Sequence, residues 1–526
     1  MQLFFTFLAY TLFVAGYSWY KLRKEKLNSH EGYFLGGRSL TGVVIAGSML
    51  LTNISTEHLI GMNGSSYKNG FIIIAWEVTS ALALILTAVY FVPKYLKMGL
   101  TTIPQFLENR FDGFTRSLVA FFLMISFIVT LLPIVLYTGA INLESIFNVS
   151  ELLGVSQTQG MNYTIWAIGL VGSLYAIFGG LKAVAVSDTL NGYGLLVGGL
   201  AIPFIALVSI GEGNPLEGLS SVYRNAPEKF NVIGAKDSVM PFEVLFTGLI
   251  INQIYFWCMN QMIIQRALGA KNLKEAQKGL LFTGLLKILV PLIIILPGVI
   301  GFYYFGDLYY DRQDMIYPEL IKKVLPAGLV GVFAAIVMGA VLSTFNSVLN
   351  SAATIFSIDI FKRHINPEIS DGRLVKIGKM TSAFLAIFAI VVAPMVANAP
   401  DGLYQLLQQL NGIFFIPIAS IMLAGFFLPK ISALAAKVAL LVGLTFYISC
   451  TFIFKVDLHF VHIWGIEFII NMAVMGLISY FIPKEKPFQI SDLQIVEMKE
   501  WKFTKGFSIF LVVSTLLIYI LLGNFN

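Results

Sequence analysis

Long apolar runs, separated by short polar connections, recur along the whole chain, and none of the short alternating segments of a barrel is visible between them. Crossing a hydrocarbon core of about 30 Å takes roughly 20 apolar residues in a helix, and only helices and closed barrels satisfy their own backbone hydrogen bonds in lipid. The pattern predicts an all-α polytopic membrane protein with fourteen spans, centred near residues 11, 50, 82, 128, 170, 198, 252, 290, 341, 387, 415, 442, 470 and 514. Residues 2–20 resemble a signal peptide, but Lys21, Arg23, Lys24 and Lys26 follow the apolar run instead of preceding it. That order predicts a retained first helix with its amino terminus outside.

Three interruptions of the apolar pattern carry candidate chemistry. In "LLTNISTEHLIG" (50–61), five polar residues occupy six positions, and at 100° per residue they spread around the whole circumference of a helix. The helix is expected to break near Leu51–Ser55, with Gly47, Gly61 and Gly64 easing the distortion. Such a break frees carbonyls that suit a small cation. The second interruption is Glu77, beside Thr79 and Ser80; the third is Lys287 in "TGLLKILVPL". Each charge costs about 2.5–3.5 kcal/mol at a helix centre and usually marks a pathway. The plain alternative for both is a structural Glu77–Lys287 ion pair. Gln253, Gln408, Gln409 and the hydroxyl pair Ser343–Thr344 add neutral polar groups, with Tyr255, Phe256, Trp257 and Tyr404 as rings. Fixed donors and acceptors beside an aromatic plate suit a neutral polyol.

Composition agrees with this reading: the chain is 57% hydrophobic and 12% charged, so most of it cannot form a water-facing surface. With the amino terminus outside, the inner loops carry most of the 35 lysines and arginines, including the clusters Arg266/Lys271/Lys274/Lys278 and Lys362/Arg363/Arg373/Lys376/Lys379. Both termini then lie outside, and the net charge of +6 reports topology and contact with anionic lipid, not nucleic acid. Cys258 and Cys450 cannot make a disulfide framework or a four-cysteine zinc site. His30, His364, His459 and His462 fall in loops or at interfaces, so "HFVH" (459–462) makes a poor metal site and no converging catalytic set is visible. An enzyme is not expected.

Six segments in register, "YFLGGRSL" (33–40), "NISTEHLIGMNG" (53–64), "GGLKAVAVSD" (179–188), "NQMIIQRALGAKN" (260–272), "LKILVPLIIILPG" (286–298) and "LNSAATIFSIDIF" (349–361), give the chain a resemblance to the solute:sodium symporters, sodium/glucose-galactose cotransporter branch. The resemblance implies a LeuT-type core of two five-helix inverted repeats, each opening on a broken helix. Mapped here, residues 1–38 form an extra amino-terminal helix and linker. Residues 39–210 form the first repeat, 211–241 an external loop, 242–428 the second repeat and 429–526 three peripheral helices. It further implies a sodium site from the carbonyls of Leu51, Ile54 and Ala340 with the hydroxyls of Ser343 and Thr344. The sugar site would comprise Asn53, His58, Glu77, Ser80, Gln253, Lys287 and Gln408, gated by Met62, Phe256, Trp257 and Tyr404. Asp188 matches a family acid on the sodium exit route, within a departing "VSDTLN". Phe256 stands where sugar carriers mostly have Tyr.

The expected function is sodium-driven uptake of galactose or glucose by alternating access, with Na⁺ as coupling ion and no other cofactor. The hydroxyl pair of two-sodium relatives is not recognisable in "FFLMISFIVTLLPIV" (121–135), so one sodium per sugar is expected. The rival solutes are myo-inositol, sialic acid or an amino acid. The lack of long extensions points to a multi-pass protein of a bacterial inner membrane.

Overall fold

The computed structural model describes residues 2–22, 29–398, 403–484 and 488–524. Arg23, Lys24 and Lys26 of the first basic cluster lie outside the described residues. Regular structure among the described residues is helical throughout, apart from one parallel bridge between Leu40 and Ala270. Eleven helices among them are long and apolar enough to cross a membrane. The expected centres at 50 and 252 fall in two shorter apolar helices, Gly42–Asn53 and Gly248–Met259. The centre at 170 falls in the first arm of the 54-residue helix Gln157–Ile210.

That long helix bends at Gly180, whose φ of +58° belongs to the left-handed region that a Cβ disfavours. A Cβ there would also lie 2.7 Å from the Tyr33 carbonyl oxygen, so both the turn and the close approach require glycine.

Two further helices are interrupted by non-helical backbone. Gly42–Asn53 stops at Ile54 (φ −85°, ψ 92°), and the chain resumes as a π-helical turn, Glu57–Met62, leading into Asn63–Asn69. Gly248–Ile254 continues as the π turn Tyr255–Met259 and stops at Asn260 (φ −70°, ψ 121°), whose side chain accepts from the Met262 N–H (3.0 Å) to start Gln261–Leu268. π turns of this kind cluster at functional sites.

The first break falls where the polar circumference predicts, but the glycines act otherwise than expected. Gly47, Gly61 and Gly64 have no positive φ. A Cβ at each would instead press on Thr189 Cα (3.1 Å), Tyr404 N (3.1 Å) and the Gln313 carbonyl oxygen (2.5 Å). They are points of close approach, and the break itself lies in a stretch without glycine.

The helix Ala327–Ile355, which runs on as the π segment Phe356–Ile365, is central. In its most apolar window 78% is buried, against 11% for Gln2–Lys21 and for Thr504–Leu522, which are peripheral. Arg266 corrects the reading of a uniformly cytoplasm-facing basic cluster. It is fully buried, donating from Nε to Ser48 Oγ (2.8 Å), with Nη2 lying 3.5 Å from Asp188 Oδ2. Burying a guanidinium is tolerable only with such pairing.

Candidate functional site

The interrupted helix brings its polar residues inside the protein: Asn53, Ser55, Thr56, Glu57 and His58 are all buried. Thr56 Oγ1 shares a hydrogen bond with Thr138 Oγ1 (2.8 Å), while Asn53 Oδ1 accepts from Lys287 Nζ (2.6 Å). Lys287 also donates to Glu77 Oε2 and sits 5.5 Å from the centre of the Trp257 ring. The two charges that stood out in the sequence therefore meet, and both are almost completely buried. His58 lies between two carboxylates, with Nε2 3.9 Å from Glu77 Oε1 and Nδ1 3.6 Å from Glu57 Oε1. Its ring meets Tyr404 edge-on at 5.2 Å.

Gln253 uses its whole amide. Nε2 donates to the Trp76 carbonyl (2.7 Å) and to Thr79 Oγ1 (3.0 Å), and Oε1 accepts from Ser80 Oγ and Trp257 Nε1 (both 3.1 Å). Gln408 Nε2 donates to Tyr404 Oη at 2.7 Å.

These groups line one cavity of about 50 Å³. All seven expected sugar residues border it, together with Phe256, Trp257, Tyr404 and Thr344. Met62 does not: it is fully buried in an apolar cluster. The cavity also takes in Glu57, Trp76, Asn252, Asn260 and Asn411, which the sequence did not single out as ligands. Glu57 Oε2, Asn252 Oδ1, Asn260 Nδ2 and Asn411 Oδ1 have no hydrogen-bond partner among the described residues. The signal for Glu57 and Trp76 was adjacency to His58 and Glu77; a lone Asn in a span reads as helix-packing glue.

Next to the cavity, the break alters the backbone bonding that a regular helix would make. The Ser55 N–H donates to the Asn53 carbonyl (3.2 Å) and not to Leu51 four residues back. The central helix packs here through its own polar residues: Thr344 reaches the Thr52 carbonyl (3.0 Å), and Ser347 Oγ bonds Thr52 Oγ1 (3.1 Å). Ser343 Oγ is buried, has no hydrogen bond of ordinary geometry and faces the Asp188 carboxylate, which accepts from Ser48 Oγ (2.7 Å). Ala340 lies one turn earlier on the same buried helix. A redirected carbonyl and buried hydroxyls are neutral oxygen donors, a set that fits a monovalent ion better than Ca²⁺, which takes several carboxylates.

The two histidines of "HFVH" have structural partners. His459 caps the helix Phe460–Phe481 and His462 Nδ1 bonds Thr247 Oγ1 (3.1 Å).

Residues 33–443 match the sodium:solute symporter family. The chain belongs to this family. The symporter is 45% identical to the uncharacterized symporter YidK of Escherichia coli (strain K12), over 99% of its own length and 91% of that protein. It is 33% identical to the sodium/glucose cotransporter of Vibrio parahaemolyticus, over 82% and 81% of the two chains. The sodium/myo-inositol cotransporter of Bos taurus is 30% identical over 80% of this chain and 62% of its own. In fold, the symporter resembles a Na⁺-coupled sialic acid symporter in a substrate-bound outward-open state, with a TM-score of 0.79, 20% identity and coverage of 92% and 99%. This protein is thus a multi-pass, sodium-coupled solute symporter and not an enzyme.

Proposed function

We propose that the symporter couples inward sodium flow to uptake of a neutral sugar, galactose or glucose, one sodium per sugar, by alternating access. The observation that carries this reading is the Lys287–Glu77 pair with Asn53: the single ammonium among the described lining residues is already neutralised, so these residues offer hydroxyl-binding groups and no free ammonium for an anionic solute. Asn53, His58, Glu77, Ser80, Gln253, Lys287 and Gln408 bind the sugar, and Phe256, Trp257 and Tyr404 gate it. Sodium sits on Leu51, Ile54, Ala340, Ser343 and Thr344, and leaves past Asp188. One broken segment serves both ligands, which couples them. The 33% identity to a sodium/glucose cotransporter supports the choice of sugar; the myo-inositol relatives favour a cyclic polyol as the second reading.

In this reading the core comprises inverted repeats over 39–210 and 242–428 within fourteen crossings, with the extra first helix, the external loop 211–241 and the last three helices around them. Both termini lie outside a bacterial inner membrane. Breaks at Ile54 and Asn260, each in the first helix of its repeat, support that division.

Sodium works by differential affinity for the two states. A potential of 100 mV supplies about 2.3 kcal/mol per charge and a tenfold gradient about 1.4 kcal/mol. Together these bound accumulation at a few hundred-fold for one sodium per sugar.

The test is sodium-dependent uptake of labelled galactose in proteoliposomes, competed by glucose, myo-inositol, sialic acid and amino acids. Competition by the sugars is expected; competition by sialic acid or an amino acid alone would displace the sugar reading.

A further inference from the structure

The central helix does not end with the residues that face the interrupted segment. It continues as the π segment Phe356–Ile365, and there, on the lysine- and arginine-rich side, it borders a second cavity of about 560 Å³. Arg116, Lys362, Arg363 and the imidazoles of His30 and His364 line it. Three fixed positive charges face Glu108 and Asp359, and a third carboxylate, Asp371, accepts from the His30 N–H (3.2 Å) at the cavity's edge. Arg116 binds the first two, through Nη1 to Glu108 Oε2 (2.5 Å) and Nε to Asp359 Oδ1 (2.6 Å), and Arg363 Nη1 takes the other Glu108 oxygen.

A surplus of donors remains after that pairing. Lys362 has neither a salt bridge nor a hydrogen bond among the described residues. Arg363 Nε is buried and donates to no group among them. The tip of the Arg363 guanidinium packs against Gly113, where a Cβ would fall 1.8 Å from Nη2, and Glu108 anchors its Nη1. His364 Nε2 is fixed by Ser117 Oγ at 2.7 Å. Converging, partly pre-set N–H groups, with the unpaired Lys362 ammonium among them, match a phosphate oxygen.

The surroundings indicate where such a phosphate comes from. Ile365 follows directly, Phe114 stands beside Gly113, and Phe121 lies one turn beyond Ser117; these three apolar side chains are 62%, 64% and 53% exposed. They face lipid in a membrane-spanning protein. We propose that this cavity binds the phosphate of an anionic phospholipid from the cytoplasmic leaflet, with Lys362, Arg363 and His364 on the headgroup and the acyl chains along Phe114, Phe121 and Ile365. Basic pockets between helices on this side of a membrane are suited to such headgroups. The bound lipid anchors the inner end of the helix that carries Ser343 and Thr344.

The experiment measures binding of the purified full-length protein to phosphatidylglycerol in phosphatidylcholine nanodiscs or vesicles, in the absence of sodium and sugar, so that its failure leaves the transport reading untouched. Binding of phosphatidylglycerol over phosphatidylcholine is expected. Lys362→Gln, which removes no internal contact, should weaken it about fivefold, the effect of one basic residue near an anionic surface. Lys376→Gln, an exposed basic residue outside the cavity, should leave it unchanged. Equal affinity for the two lipids, an unaltered Lys362→Gln, or equal weakening by Lys376→Gln would overturn the proposal. Competition by soluble glycerol phosphate at equal concentration would reassign the site to a free phosphate ester.

Discussion

Thr344 Oγ1 donates to the carbonyl oxygen of Thr52 at 3.0 Å, joining the central helix to the interrupted one beside the substrate cavity. The backbone stops being helical two residues later, at Ile54, which leaves this carbonyl open to a donor from the neighbouring helix. A regular helix would send each carbonyl to its own N–H four residues on. Ser343, the neighbour of Thr344, is expected to supply sodium with a hydroxyl oxygen. Its replacement by Ala should raise the sodium concentration for half-maximal uptake about tenfold, the effect of one ligand or hydrogen bond of roughly 1.4 kcal/mol. Sodium dependence measured in proteoliposomes decides this, and an unchanged half-saturation would remove Ser343 from the site.

Lys287→Ala leaves the Glu77 carboxylate buried without its counter-charge, a change that typically costs about 3–5 kcal/mol. Uptake should vanish and the thermal midpoint should drop. The double variant Lys287→Ala/Glu77→Ala carries no uncompensated charge and should regain stability but not transport. Recovery of transport by the double variant would show the pair to be a structural rivet outside the binding chemistry.

Acidification should weaken the ion pairs around Glu108 and Asp112. Burial works against the Glu108 carboxylate, but hydrogen bonds from Arg116 and Arg363 outweigh it and hold it below its ordinary value of 4.5. Since the folded value is the lower one, the stabilisation is complete above about pH 4.5 and is lost as pH falls through the folded value. Asp112, held down by Lys437 and Thr115 against the same burial, adds in the same direction. Thermal midpoints recorded in detergent should fall as pH drops below that range, and Glu108→Gln should flatten the dependence. An identical slope in the variant would refute the assignment.

Gly180→Ala should reduce folded yield. The left-handed φ costs an L-residue about 1–2 kcal/mol, and the added methyl would collide with the Tyr33 carbonyl. Size-exclusion profiles and thermal midpoints would register the change; a wild-type midpoint would mean that Gln157–Ile210 can rebend elsewhere.

How far the sequence could be read depended on how local each signal was. The break at Ile54 was legible because five polar residues in six positions cannot share a helix face, and Glu77 and Lys287 because a charge in an apolar run needs a partner. Their pairing across 210 residues is a tertiary fact that the runs alone only allowed. Arg266 was misread because it stands among Lys271, Lys274 and Lys278, and nothing local tells a buried guanidinium from a solvated one; Asp188 and Ser48, which compensate it, come from distant segments. Asn252, Asn260 and Asn411 escaped for the opposite reason, since one amide in a span is indistinguishable from packing glue until the cavity wall is known.

Lys287, Glu77 and Asn53 satisfy one another across the cavity wall, and Gln253 spends its amide on Trp76, Thr79, Ser80 and Trp257. At these groups an arriving solute must trade hydrogen bonds nearly one for one, so its net grip rests on the few atoms unpartnered among the described residues, those of Glu57, Asn252, Asn260 and Asn411. A shallow hold is what a shuttle wants: cargo that is easily surrendered at the far side keeps turnover quick, and improvement by tighter capture would slow the very step that delivers it.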